Sequence, residues 1–142
     1  MSNPNLKPST RATVVAALAS ASRSVGAATT SAVDMSQYEN VQAIISVGAF
    51  GTDATATLKW QQATDTDFSD AKDITARSAI DLAEELPGVI NLKATELDVN
   101  GGFRYVRAVL TIGTAAVHAG GVILAHDAKN QPTDAMTGTV ID

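Results

Sequence analysis

Eight residues near the middle of the chain, Ala54 to Gln61, alternate without a break. Ala54, Ala56, Leu58 and Trp60 fall on one face, and Thr55, Thr57, Lys59 and Gln61 on the other. A period of two is what a half-buried strand requires, and a helix would scatter the same apolar side chains around its whole circumference. The pattern recurs at Val41–Val47, where Val41, Ala43, Ile45 and Val47 oppose Gln42, Ile44 and Ser46. It returns at Phe103–Ile112, where Val106, Ala108, Leu110 and Ile112 follow Arg104 on one face and Phe103, Tyr105, Arg107, Val109 and Thr111 take the other. Ala115–Ala125 is a nearly continuous apolar run interrupted by His118 and Gly120-Gly121, and reads as a further strand. Turn signals every 8–12 residues divide the chain into about seven or eight strands, with no strand–helix alternation. The expected fold is all-β, an antiparallel β-sandwich of jelly-roll-like character.

The connections follow from local chemistry. Asp34–Gln37, Gly48–Asp53 and the acidic stretch Thr64–Asp70 read as turns, and Lys72–Thr75 as the start of a short strand. Asn100-Gly101 carries the dipeptide of a β-hairpin. Arg23–Val33 is extended, with Gly26 expected as a bulge. One short helix is expected, at Ser78–Leu86: Ala79, Leu82, Ala83 and Leu86 stand at i, i+3, i+4 and i+7, Ser78 can cap the start, and Pro87-Gly88 ends it. Residues 1–12, with Pro4 and Pro8, read as an extended N-terminal arm, and residues 13–142 as a single sandwich domain. Residues 11–21 are open between strand and helix; Ala19-Ser20-Ala21 resembles a signal-peptidase site, but the apolar run before it is short and Ala-dominated. Asp127–Thr137 reads as a polar loop, and Thr139–Ile141 as a last edge strand.

Composition narrows the chemistry. Ten Lys and Arg against 15 Asp and Glu leave a net charge of −5. A nucleic-acid clamp needs clustered cations to displace counterions from phosphates, and an anionic membrane surface attracts the same cations, so neither partner is expected. Cysteine is absent, which removes disulfides, thiolate nucleophiles and Cys-ligated metals. Asp65, Asp67 and Asp70 lack the central Gly and distal Glu of a calcium loop. His118 and His126 are eight residues apart, so on one straight strand they share a face about 27 Å apart and cannot share a metal. No Gly-x-Ser-x-Gly elbow and no phosphate-binding loop occurs. Asp81, Glu84 and Glu85 read as a solvated face. The expectation is a non-enzyme with no metal and no cofactor. Trp60 is in phase with Leu58 and reads as core. Tyr105 and Arg107 lie opposite the core face, either as an interface anchor, for which Tyr and Arg are favoured, or as the cover of a second layer.

Three stretches occur in a suggestive order. They are Ala32-Val33-Asp34-Met35-Ser36-Gln37-Tyr38-Glu39-Asn40-Val41, then Leu58-Lys59-Trp60-Gln61-Gln62-Ala63-Thr64-Asp65 with Phe68-Ser69-Asp70, then Phe103-Arg104-Tyr105-Val106-Arg107-Ala108-Val109. In this order the chain resembles the capsid decoration, or cementing, proteins of tailed bacteriophages, and is similar to those of Bordetella-type short-tailed phages. The match covers roughly residues 22–125; Ala63–Asp67 replaces the usual Asp-Asp-Gly turn, and Ser78–Leu86 has no counterpart. The resemblance implies a structural virion protein on the outer surface of an icosahedral head, bound to the lattice of major capsid subunits and self-associating as a dimer or higher oligomer. The contacts expected under it are the arm residues Asn5, Leu6, Lys7 and Arg11, exposed sheet edges, and Tyr105 with Arg107. The rival expectation is a carbohydrate- or receptor-binding sandwich of a phage tail or fibre, against which the inward phase of Trp60, the single Trp, counts.

Overall fold

The computed structural model describes Asn5 and residues 7–129. A single helical turn, α1 (Pro8–Arg11), leads into β1 (Ala12–Arg23), β2 (Gly26–Thr29), β3 (Val33–Asp34), β4 (Tyr38–Phe50) and β5 (Thr55–Ala63). Two short strands follow, β6 (Lys72–Asp73) and β7 (Ile80–Asp81), then β8 (Pro87–Lys93), a 3-10 turn (Ala94–Glu96), β9 (Tyr105–Gly113) and β10 (Val117–Ala128). All pairings are antiparallel. One sheet runs β1-β10-β4-β8, and the other β2-β9-β5-β6, with β3 also on β9 and β7 also on β5. Counting β2 with β3 and β6 with β7 as interrupted single strands gives orders 1-8-3-6 and 2-7-4-5. That interleaving of first and last strands is a jelly roll.

The inward faces are those the alternation predicts. Val41, Ala43, Ile45 and Val47 are all buried, as are Ala56, Leu58 and Trp60, and Val106, Ala108, Leu110 and Ile112. Ile123 and Leu92 join them from the four-stranded sheet. Each large side chain so buried contributes about 1.5–3 kcal/mol. Residues 12–23 form an edge strand paired along β10, with register shifts between Val14 and Ala16 and between Leu18 and Ala21. The stretch that resembles a cleavage site is therefore an integral part of the sheet.

Three local expectations are corrected. Ser78–Leu86 is not a helix. Ile80 and Asp81 pair with Leu58 and Thr57, Leu82 N–H donates to the Ala56 carbonyl at 2.8 Å, and of the supposed apolar stripe only Leu82 is buried. A nine-residue helix with a stripe half made of Ala buries too little to compete with completing β5's free edge. Among the described residues the one α-helical turn lies instead at Pro8–Arg11, where proline suits the first turn. Asn100-Gly101 does turn the chain, but β8 before it pairs with β4 and β9 after it pairs with β5. It is a crossover between sheets, not a hairpin, and the positive φ of +83° falls on Gly102. Gly26, with φ +135°, stands at the crossover from β1 to β2, and the β2–β9 register from Gly26 to Thr29 is unshifted, so it is not a bulge. The expected strand at Thr139–Ile141 lies outside the described residues.

Candidate binding surfaces

The register of the four-stranded sheet lines up its outward side chains in rows. Ala17, Val122, Ile44 and Val89 stand side by side across β1, β10, β4 and β8. The next row is Val14, Leu124, Gln42 and Asn91, and on the other side Gly120, Ser46 and Pro87 continue across β10, β4 and β8. None of these residues carries a charge. Gly120 adds no side chain to this face, and its neighbour Gly121 points to the core side, in register with Ile45 and Leu18. A Cβ on Gly121 would stand 2.1 Å from the Ile44 carbonyl oxygen, so β10 can lie against β4 only with glycine there. Val89 is 44% exposed, an apolar side chain left to solvent on an edge strand.

The row at one end of this face is Ala12, His126, Asn40 and Lys93. There α1 rises on one side and Arg77 on the other, enclosing an open groove of about 890 Å³. Arg11, the last residue of α1, lines it and is half-buried; its Nε is buried with no hydrogen-bond partner among the described residues. Asn40 Nδ2 donates to Asp127 Oδ2 at 2.9 Å on the groove wall. Arg77 is held by Glu96 through two bonds, 3.0 Å from Nε and 2.6 Å from Nη2.

The outer face of the six-stranded sheet is built differently. Arg107 donates from Nε and Nη2 to Gln61 Oε1, at 3.1 and 3.0 Å, while Phe68 lies over its guanidinium at 4.3 Å. Phe68 adopts φ +55°, a conformation unfavourable for a bulky side chain, within the turn that brings its ring down on Arg107. Arg104 bonds Asp34 at 2.8 Å and stands over the Tyr105 ring at 4.9 Å. Lys59 pairs with Asp73 at 2.9 Å, and Lys72 with Asp98 at 2.6 Å while lying over Phe103.

These networks shift carboxyl groups. Burial pushes Asp34 up, but hydrogen bonds from Ser36 and Arg104 outweigh it and hold it below its ordinary value. The Arg77 hydrogen bond holds Glu96 down, the Thr64 side chain and backbone hold Asp70 down, and Lys72 holds Asp98 down.

The expected contact residues thus fall on separate sheets. Asn5 lies in a turn before α1, and Lys7 is the exposed residue that starts it. Leu6 lies outside the described residues. Arg11 belongs to the groove on the four-stranded sheet, whereas Tyr105 and Arg107 start β9 on the six-stranded one. Both of these are half-buried, and Arg107 donates from Nε and Nη2 to Gln61 beneath the Phe68 ring. Sequence reading misses the groove, because its polar row joins residues of four strands that are not consecutive along the chain. It also misses the contact of 3.0 Å between Ser20 Oγ and His118 Nε2 across the edge of the four-stranded sheet. That pair is exposed on a flat surface. Among the described residues no three His, Cys, Asp or Glu side chains converge as a metal site, and no helix is long and apolar enough to cross a membrane. No family model, curated protein or solved structure matches the chain.

Proposed function

We propose that this chain is a structural virion protein that binds the outside of an icosahedral phage head and cements neighbouring major capsid subunits. The observation that carries this reading is the uncharged middle of the outer face of the four-stranded sheet, the rows of Ala17, Val122, Ile44 and Val89 and of Val14, Leu124, Gln42 and Asn91, with α1 beside it. An exposed apolar face on a chain of net charge −5 marks a surface that a partner covers. A flat face crossing four strands suits a broad protein surface better than a small ligand, which prefers a concave site. The motif order described above points to the same family of functions. Binding only to the assembled lattice stabilises that lattice by mass action, and many symmetric copies make a modest contact effective. The net negative charge keeps the unbound protein soluble.

The test is co-sedimentation of the purified protein with expanded heads of its phage prepared without it. Saturation at a fixed ratio to the major capsid subunit, with heads surviving to higher temperature, is the expected result. A fixed ratio also sets the symmetry of the sites and the oligomeric state in which the protein binds. Failure to bind heads, with glycan-array binding in its place, assigns the chain to the tail or fibre instead.

A further inference from the structure

We infer that the groove between α1 and β8 is a binding site for an extended, carboxylate-rich peptide segment of a protein partner. The inference concerns the ligand of the groove and does not depend on the capsid reading. The chain as a whole is acidic, yet the groove is cationic. Arg11, Arg77 and Lys93 line it against one carboxylate, Asp127. Arg77 is engaged by Glu96, and Asp127 accepts from Asn40. Glu96 also lies close enough to Lys93 for that charge to lower its pKa, but its oxygens are bonded to the Arg77 fork and the Lys93 backbone N–H. Among the described residues neither Arg11 nor Lys93 forms an ion pair, and Arg11 holds a buried N–H with no acceptor. Two cations and an unmet donor at the ends of one groove call for carboxylates as the missing partners.

The shape favours a peptide. The groove crosses the sheet from β1 to β8 over three strand spacings, about 14 Å, the length of four or five extended residues. Between the two cations its floor presents Asn40, Gln42 and Asn91. Primary amides can donate and accept at once, and so match the alternating N–H and C=O of an extended main chain. A side chain on every second residue of such a segment points toward the floor, which lets acidic positions near its ends reach Arg11 and Lys93.

The test uses the whole chain, titrated with acetylated, amidated hexaglutamate and separately with the matching hexaglutamine, and followed residue by residue by NMR at low salt. The expected result is saturable binding of hexaglutamate with shifts confined to α1, the ends of β10 and β4, and β8. Arg11→Gln and Lys93→Gln are each expected to weaken it about tenfold, the loss of one charge-assisted bond. Arg11 is half-buried and Lys93 exposed, and an unchanged NMR spectrum elsewhere shows that the fold survives. Lys59→Gln, on the other sheet, leaves binding unchanged. Equal binding of hexaglutamine, or unaltered affinity in both groove variants, overturns the inference. Tighter binding of trigalacturonate than of hexaglutamate overturns it as well, because the groove then reads an acidic glycan.

Discussion

The four-stranded sheet is made of strands of 12, 13, 7 and 12 residues, whereas its partner has two strands of nine residues with edges of two to four. The first holds itself together through long backbone ladders and needs nothing on its outer face. The second cannot. Its broken edges leave the ladder incomplete, and side chains complete it: Gln61 with Arg107 under Phe68, Lys59 with Asp73, Arg104 with Asp34. The Thr30 hydroxyl even accepts the Ala108 N–H at 3.1 Å, where β2 has already ended. One sandwich therefore carries one outer face covered by its own side-chain networks and one left open across its middle, with the groove at its end. A surface that is both bare and structurally self-sufficient is free to change for binding without cost to the fold.

Glycine substitutions break this comparison most severely. Gly121→Ala puts a Cβ 2.1 Å from the Ile44 carbonyl and 2.8 Å from Ile45 Cα. Both atoms are β4 backbone, which no rotamer change can move, so the β10–β4 ladder must part. A loss of about 3 kcal/mol or more is expected in urea unfolding. Gly26→Ala on the other sheet meets nothing within 4 Å and carries only the strain of φ +135°, about 1–2 kcal/mol. Equal losses at the two positions would mean that the long ladder is not the more tightly constrained one.

Phe68→Ala is next. The ring is 7% exposed and covers Arg107. Its loss is expected to cost about 2 kcal/mol, less than the 3–5 of a deep-core Phe because the ring belongs to a surface turn that can settle over the gap. Amide exchange should rise in β5 and β9 before it rises in β4 and β10. Uniform exchange across both sheets would show that the cover seals nothing locally.

Acid separates the sheets more gently. Asp34, Asp70 and Asp98, held below their ordinary values, belong to β3 and to loops around the six-stranded sheet, and Glu96, held down as well, to the 3-10 turn that leaves β8. A carboxyl whose folded pKa is depressed contributes stability above its unfolded value, here 3.8 to 4.5, and loses it as pH falls through the folded one. These pairs are largely solvent-screened, so the global effect is small. Between pH 6 and pH 3, protection is expected to fall in residues 64–73 and 94–104 while β1 and β10 keep theirs.

The same asymmetry explains what the sequence discloses. β4, β5 and β9 are legible because each buries one face and wets the other, which is a local pattern. Ser78–Leu86 misleads because its helical spacing is carried by Ala79, Ala83 and Leu86, all exposed in the fold, while β5's open edge, a tertiary demand, recruits Ile80 and Asp81. Asn100-Gly101 reports a turn truthfully and its partner wrongly, since a dipeptide cannot say which sheet the next strand joins. The groove is hidden for a stronger reason. Its row of Ala12, His126, Asn40 and Lys93 is set by the jelly-roll order, and no window of consecutive residues contains it. Arg11 is visible as a cation of the arm, but nothing near it in sequence identifies Lys93 as its counterpart.

Val89→Lys has the smallest expected effect on the fold. Val89 is 44% exposed at the β8 end of the outward row, on an edge strand where lysine is well tolerated. Its stem can lie along Ile44 while the ammonium reaches water. Unfolding free energy should change by no more than about 0.5 kcal/mol. Binding to heads through this face should weaken about tenfold or more, because a charge introduced into an apolar interface is desolvated with no partner. Lys59→Glu, which reverses a charge on the sealed sheet, should leave binding intact even though it breaks the pair with Asp73. Stability and binding would then respond to opposite faces of one small sandwich. A Val89→Lys protein that is fully folded and binds heads normally would remove the bare face from the interaction and shift it to the arm and the groove beside it.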